Sequence, residues 1–194
     1  MAASTLVLAH GAGAGQAHPW MRHVADGLRI RGVRVVTFDF PYMAAGRRLP
    51  DKAPVLEAAF GEAWESAVRG TTGPLFAGGK SMGGRMASMV AARGGFTPPP
   101  AGLVLFGYPL HPPGRPDKRR DAHLPAVACP ILFAHGTKDP FGTPDEMHGL
   151  ASGLPRANLQ LVDGGDHSLV TRRGHPVADG ILDDVVAWMM AATP

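Results

Sequence analysis

The chain of 194 residues contains one cysteine, Cys129, so no disulfide can close within it, a usage compatible with a reducing compartment. Long apolar runs are also missing. The longest, from Leu103 through Phe106 to Leu110, is broken by Gly107 and Pro109 and falls far short of the roughly 18 residues a membrane span needs. The amino terminus has no basic segment, and its apolar run from Leu6 to Ala9 stops at His10, too short for an export signal. The expectation is an unexported, cytoplasmic protein. Lysine is scarce, 4 against 15 arginines, and the net charge is only +3. With 26 glycines and 19 prolines, that choice reads as the base composition of a GC-rich genome. The basic residues do not gather on one element, as a nucleic-acid footprint would require. The group Arg115, Lys118, Arg119 and Arg120 lies among Pro, Gly and Asp and reads as a solvated loop. Neither a nucleic acid nor a membrane is expected as a partner. No repeat of 20 to 50 residues and no Ser/Gly linker divides the chain, and 45% hydrophobic with 18% charged residues excludes disorder and coiled coil. One domain over residues 1–194 is the expectation.

What is present is an alternation of short apolar runs with amphipathic segments. Thr5 to Ala9, Val33 to Asp39, Leu75 to Ala77, Leu103 to Gly107, Ile131 to His135 and Leu159 to Val162 read as six strands. Between them, Trp20, Val24 and Leu28 recur at helical spacing, with Gly32 as the closing residue. Leu56, Phe60, Trp64 and Ala67 share a face, as do Met82, Met86, Met89 and Val90, and Ile181, Val185, Trp188 and Met189. Thr143, Pro144 and Glu146 form a helix start, with a hydroxyl at the cap, proline at the first position and an acid at the third. Strands of nearly continuous hydrophobicity need both faces covered, which predicts an α/β fold with a mostly parallel sheet of about six strands. In such sheets ligands gather at the carboxyl ends of the strands.

After the third strand, residues 79 to 83 read Gly-x-Ser-x-Gly around Ser81. Alone this is weak, because so many glycines give about 0.1 chance matches in six serines. Its position between a strand and a helix strengthens it, since a sharp turn there exposes the hydroxyl and tolerates only small flanking residues. A Walker loop fails, because the required first glycine would be at Pro74. A nucleophilic serine needs a base and a carboxylate to orient it. Asp139 follows the fifth strand and is fixed by Pro140, while Asp163 and Asp166 are rival acids. His167 lies in the glycine-rich loop after the sixth strand, with His175 as the alternative base. The loop after the first strand, His10 to Gly15, can supply one backbone donor to an oxyanion, assigned to Ala12; Met82 supplies the other. His10 is read as a brace for that loop. A dinucleotide fingerprint is excluded there, because Gln16 and His18 stand where glycine is required.

His10-Gly11-Ala12-Gly13, Gly79-Lys80-Ser81-Met82-Gly83, His135-Gly136-Thr137-Lys138-Asp139 and Gly165-Asp166-His167 together resemble the α/β-hydrolase superfamily over nearly the whole chain. The resemblance implies Ser81 as nucleophile, Asp139 as acid, His167 as base, and oxyanion donors at Ala12 and Met82. Residues 80 to 85 and 46 to 51 are similar to a small subgroup of dienelactone-hydrolase-like bacterial proteins and testis-expressed hydrolase-like animal proteins. Relatives of that subgroup include a subunit of a histone-acetyltransferase complex, so a non-catalytic protein-interaction module is the alternative function. Compared with larger members, the chain lacks two leading strands and an inserted lid. The implied activity is hydrolysis of small carboxylic esters or thioesters at an open site, without metal or organic cofactor. Tyr42, Met43, Leu110 and Phe141 follow strands and are the candidate walls of an acyl pocket. Arg47 and Arg48 are candidates for attracting an acidic substrate, and the Pro-rich stretch 98–116 for a partner surface or rigid loops.

Overall fold

The computed structural model describes residues 3–171, 177 and 179–193. Six strands form one parallel sheet: β1 (Thr5–Ala9), β2 (Arg34–Phe38), β3 (Leu75–Lys80), β4 (Gly102–Phe106), β5 (Ile131–Gly136) and β6 (Ala157–Val162). Their spatial order is β2-β1-β3-β4-β5-β6, and every neighbouring pair is parallel. Among the described residues six α-helices connect or flank them: α1 (Pro19–Ile30), α2 (Pro41–Ala44), α3 (Ala53–Val68), α4 (Met82–Ala92), α5 (Pro144–Ser152) and α6 (Asp179–Ala191), with one 3-10 turn at Leu124–Ala126.

The pleat sorts side chains alternately to two cores. Val7, Ala9, Ala77, Leu103, Leu105, Ile131 and Phe133 join residues of α3, α4 and α5 on one face. Leu6, Leu8, Phe76, Val104, Phe106, Leu132 and Ala134 meet α1 and α6 on the other. Both cores are needed because a sheet this apolar cannot leave either face in water. Leu56, Phe60, Trp64 and Ala67 are all buried, as their spacing predicts. On α4 the expected stripe is only half sunk: Met86 and Val90 are buried, whereas Met82 and Met89 stay partly exposed.

The third strand is longer than its apolar run suggests. Gly78, Gly79 and Lys80 continue the ladder opposite Val104, Leu105 and Phe106, so a glycine-rich segment that reads as loop is the end of a central strand. Pairing on both sides overrides the weak strand preference of glycine. The short α2 has no sequence periodicity to announce it. Thr143 caps α5 through a reciprocal box with Glu146, as its sequence signature predicts. Strand order reverses between β1 and β3, and a crevice opens where the chains diverge from their carboxyl ends.

Candidate active site

At that crevice β3 ends and α4 begins within one residue. Ser81 has φ 49° and ψ −113°, a conformation rarely held by a residue with a side chain. The turn closes because Gly79 and Gly83 bring backbones together. A β-carbon on Gly79 would lie 2.5 Å from the Gly83 carbonyl carbon, and one on Gly83 2.5 Å from the Ala9 oxygen. The amide of Ser81 donates to Phe106 O at 2.9 Å, tying the elbow to β4.

His167 Nε2 lies 2.8 Å from Ser81 Oγ, and its Nδ1 lies 2.8 Å from Asp139 Oδ2. A carboxylate only accepts, so Nδ1 carries the proton and Nε2 is left to accept from the serine hydroxyl. Asp139 is 4% exposed. Burial alone would raise its pKa, but the hydrogen bonds donated by His167 and the Phe141 amide, with the electrostatic pull of the His167 and His135 rings, more than offset this, and the carboxyl sits below its ordinary value. Beneath it, His135 donates from Nε2 to Gly142 O at 2.9 Å; burial lowers its pKa, so it stays neutral beside the acid. The ring of Phe141 stacks on His167 at 4.1 Å.

The rival carboxylates are engaged elsewhere. Asp166 Oδ1 accepts from the amides of Ser168 and Val170 at 2.7 and 3.1 Å, and Asp163 Oδ1 faces the Thr137 hydroxyl at 3.5 Å. The alternative base His175 lies outside the described residues.

The loop after β1 is held from β2 and α2. Asp39 accepts from the Gln16 amide at 2.7 Å and its side chain at 3.1 Å, and Tyr42 Oη accepts from the Gly13 amide at 3.3 Å. His10 braces this loop: Phe40 N–H donates to its Nε2, so its Nδ1–H donates to Gly11 O at 2.8 Å. Burial lowers the pKa of His10, which keeps it neutral. Among the described residues, the amides of Ala12 and Met82 donate to no protein acceptor, which leaves both available.

A cleft of about 330 Å³ opens over Ser81, and its walls include Ala12, His18, Trp20, Lys80, Phe141 and His167. Of the candidate wall residues only Phe141 reaches it. Tyr42 and Leu110 are fully buried in the core beneath α3 and α4, and Met43 packs against that core. They follow strands, but their side chains turn inward, and Tyr42 acts on the loop through its hydroxyl. Sequence reasoning misses Trp20 and Lys80 as wall residues. Spacing presents the first only as part of a helix face and the second only as a spacer within the serine motif.

Similarity to known proteins agrees with this arrangement. Residues 2–191 match the family model of the alpha/beta hydrolase domain. A chain of the metagenome-derived lipolytic enzymes LipS and LipT superposes with a TM-score of 0.74 at 17% identity, covering 98% of this chain and 96% of that one. Dienelactone hydrolase from Anabaena variabilis gives 0.75 at 20% identity, covering 100% and 88%. Est1E from Butyrivibrio proteoclasticus, solved with ferulic acid bound, gives 0.75 at 12%, covering 96% and 89%. At these identities the structures establish the shared fold, and the family match over almost the full length establishes membership: the chain belongs to the alpha/beta hydrolase family.

Proposed function

We propose that this protein is a single-domain serine hydrolase that cleaves small carboxylic esters or thioesters through an acyl-enzyme. The observation that carries the reading is the continuous chain of hydrogen bonds from Ser81 Oγ through both nitrogens of His167 to buried Asp139. Ser81 Oγ attacks the carbonyl carbon as its proton passes to His167 Nε2, and Asp139 holds the imidazole in the tautomer that can receive it. The oxyanion then faces the amides of Ala12 and Met82, donors fixed before the charge develops. Collapse expels the alcohol or thiol, protonated by His167. Water, deprotonated by the same imidazole, attacks the acyl carbon and releases the acid. The rings of Trp20 and Phe141 in its wall and the modest volume of the cleft favour short acyl or leaving groups over long lipid chains.

The test is labelling of the purified protein with a fluorophosphonate and location of the adduct by peptide mass spectrometry. Modification at Ser81, absent in His167→Ala, is the expected result, followed by turnover on an ester and thioester panel. Ser81→Ala should fold and lose turnover by several orders of magnitude. A folded protein that never labels would instead support the protein-interaction module.

A further inference from the structure

We propose that Lys80 is a positioning residue whose side chain holds the main-chain carbonyl of His167 and so keeps the imidazole within reach of Ser81. This rests on the serine-hydrolase reading of the same site. Lys80 is the last residue of β3, and its side chain leaves toward the α1 and α6 face, while the next residue turns at the elbow. Nζ donates to His167 O at 2.5 Å, and Ser81 Oγ lies 2.8 Å from His167 Nε2. Two adjacent residues therefore grip the backbone and the side chain of one histidine.

Residues 163–171, the stretch they grip, contain no helix or strand to hold them. Trp20 Nε1 donates to the next carbonyl, Ser168 O, at 2.8 Å, and the Trp20 ring centroid lies 5.8 Å from Lys80 Nζ. Leu169, fully buried, sits at φ 59°, a conformation costly for a branched side chain. Such a residue stays in place only while its neighbours hold the backbone there. A charge-assisted bond at His167 O is one of those holds.

The position is expensive for a cation. Lys80 is 9% exposed, and desolvation lowers its pKa to about 8, against the pull of Asp139 and Asp166. Among the described residues, the groups that face it are Asp139 from the loop after β5, Asp166 and His167 from the loop after β6, His135 from β5, and the uncharged Trp20 of α1. None of the carboxylates takes its hydrogen bond, which goes to a neutral carbonyl. On deprotonation that bond weakens without disappearing, because a neutral amine still donates.

The experiment uses the whole protein with 4-nitrophenyl acetate and a fluorophosphonate as probes across about pH 6 to 10.5, together with ¹⁵N NMR of the His167 ring. Wild type should show a step near pH 8 in kcat, in labelling rate and in the His167 resonance. Activity should fall roughly five-fold to a lower plateau with KM unchanged. Lys80→Met, which keeps the length and packing of the side chain, should sit on the low plateau on both sides of about pH 8 and show no step there. A wild-type protein with no step in either readout, or a step that survives in Lys80→Met, overturns the proposal. Should Ser81 stay unlabelled while the NMR step is present and lost in the variant, the hydrolase reading falls and the tether stands. Lys80→Arg, which keeps a charged donor across the whole range, should hold the upper plateau to about pH 10.5 whether or not Lys80→Met folds, and a step near pH 8 that persists in it overturns the proposal.

Discussion

Asp139 keeps its charge in a place where water cannot reach it, and its hydrogen bonds together with the pull of the neighbouring imidazoles make that possible. Its folded pKa lies below its ordinary value of 3.8, so the stability it contributes is complete above that value and is lost as pH falls through the lower folded one. Asp139→Asn should therefore show a flatter acid limb in a urea-melt series from about pH 5 downward. The same substitution should lower kcat by about four orders of magnitude, because an amide can stabilise the wrong imidazole tautomer. Stopped assays at neutral pH, where wild type and variant are both folded, would measure it; a loss below ten-fold would remove Asp139 from the proposed mechanism. At this scale the hydrogen-bonded trio of Ser81, Asp139 and His167, the proposed triad, is legible in the sequence because each follows a strand end in a distinctive local pattern. Lys80 cannot. Its contact with His167 depends on which face of β3 it leaves from and on a loop 87 residues away.

Element β3 with α4 is built on close approach, and its glycines divide into those that can change and those that cannot. Gly83→Ala would press a methyl against the Ala9 and His10 carbonyls, and a loss of about 3 kcal/mol in chemical denaturation is expected. Gly61 lies in α3 with open space where a β-carbon would sit, so Gly61→Ala should raise stability by about 0.5 to 1 kcal/mol. Equal effects at the two positions would show that backbone packing at the elbow is softer than the distances imply. The capping box of α5 gives a third case: Thr143→Ala should cost about 1 kcal/mol. That box is legible because its residue types and spacing carry the mechanism. The last half of β3 is not, since glycine promises no strand and only β1 and β4 on either side make it one. The inward turn of Tyr42 and Leu110 is hidden for a related reason: following a strand tells where a residue is, but not which way it points.

Across the whole molecule, Lys80 sets stability against function. Its ordinary pKa of 10.5 in an unfolded chain exceeds the folded value of about 8, so between these pH values the unfolded state binds more protons and stability rises with pH. The gain should be on the order of 2 kcal/mol and absent from Lys80→Met, read as denaturation midpoints at about pH 8 and 10.5. Activity is expected to move the other way over the same range. An activity loss that tracked unfolding would instead show stability falling with it.

The topology also divides the labour between two stretches of chain. Everything up to β4 carries the proposed nucleophile and both proposed oxyanion amides, while β5, β6 and their loops carry the proposed acid and base. Between β4 and β5 runs an exposed loop, residues 113–119, with Arg115, Lys118 and Arg119 in it. Its two ends are fastened by Tyr108 Oη donating to Arg120 O at 2.7 Å and by the β4 to β5 ladder. A single tryptic nick in this loop should yield a two-chain molecule that co-elutes as one species and still labels at Ser81. Its labelling would then report on whether the fragments are together, so that diluting the nicked protein into mild denaturant should abolish the signal in a concentration-dependent way. The hydrolase fold would in that form serve as a split reporter, with the proton path as its contact switch.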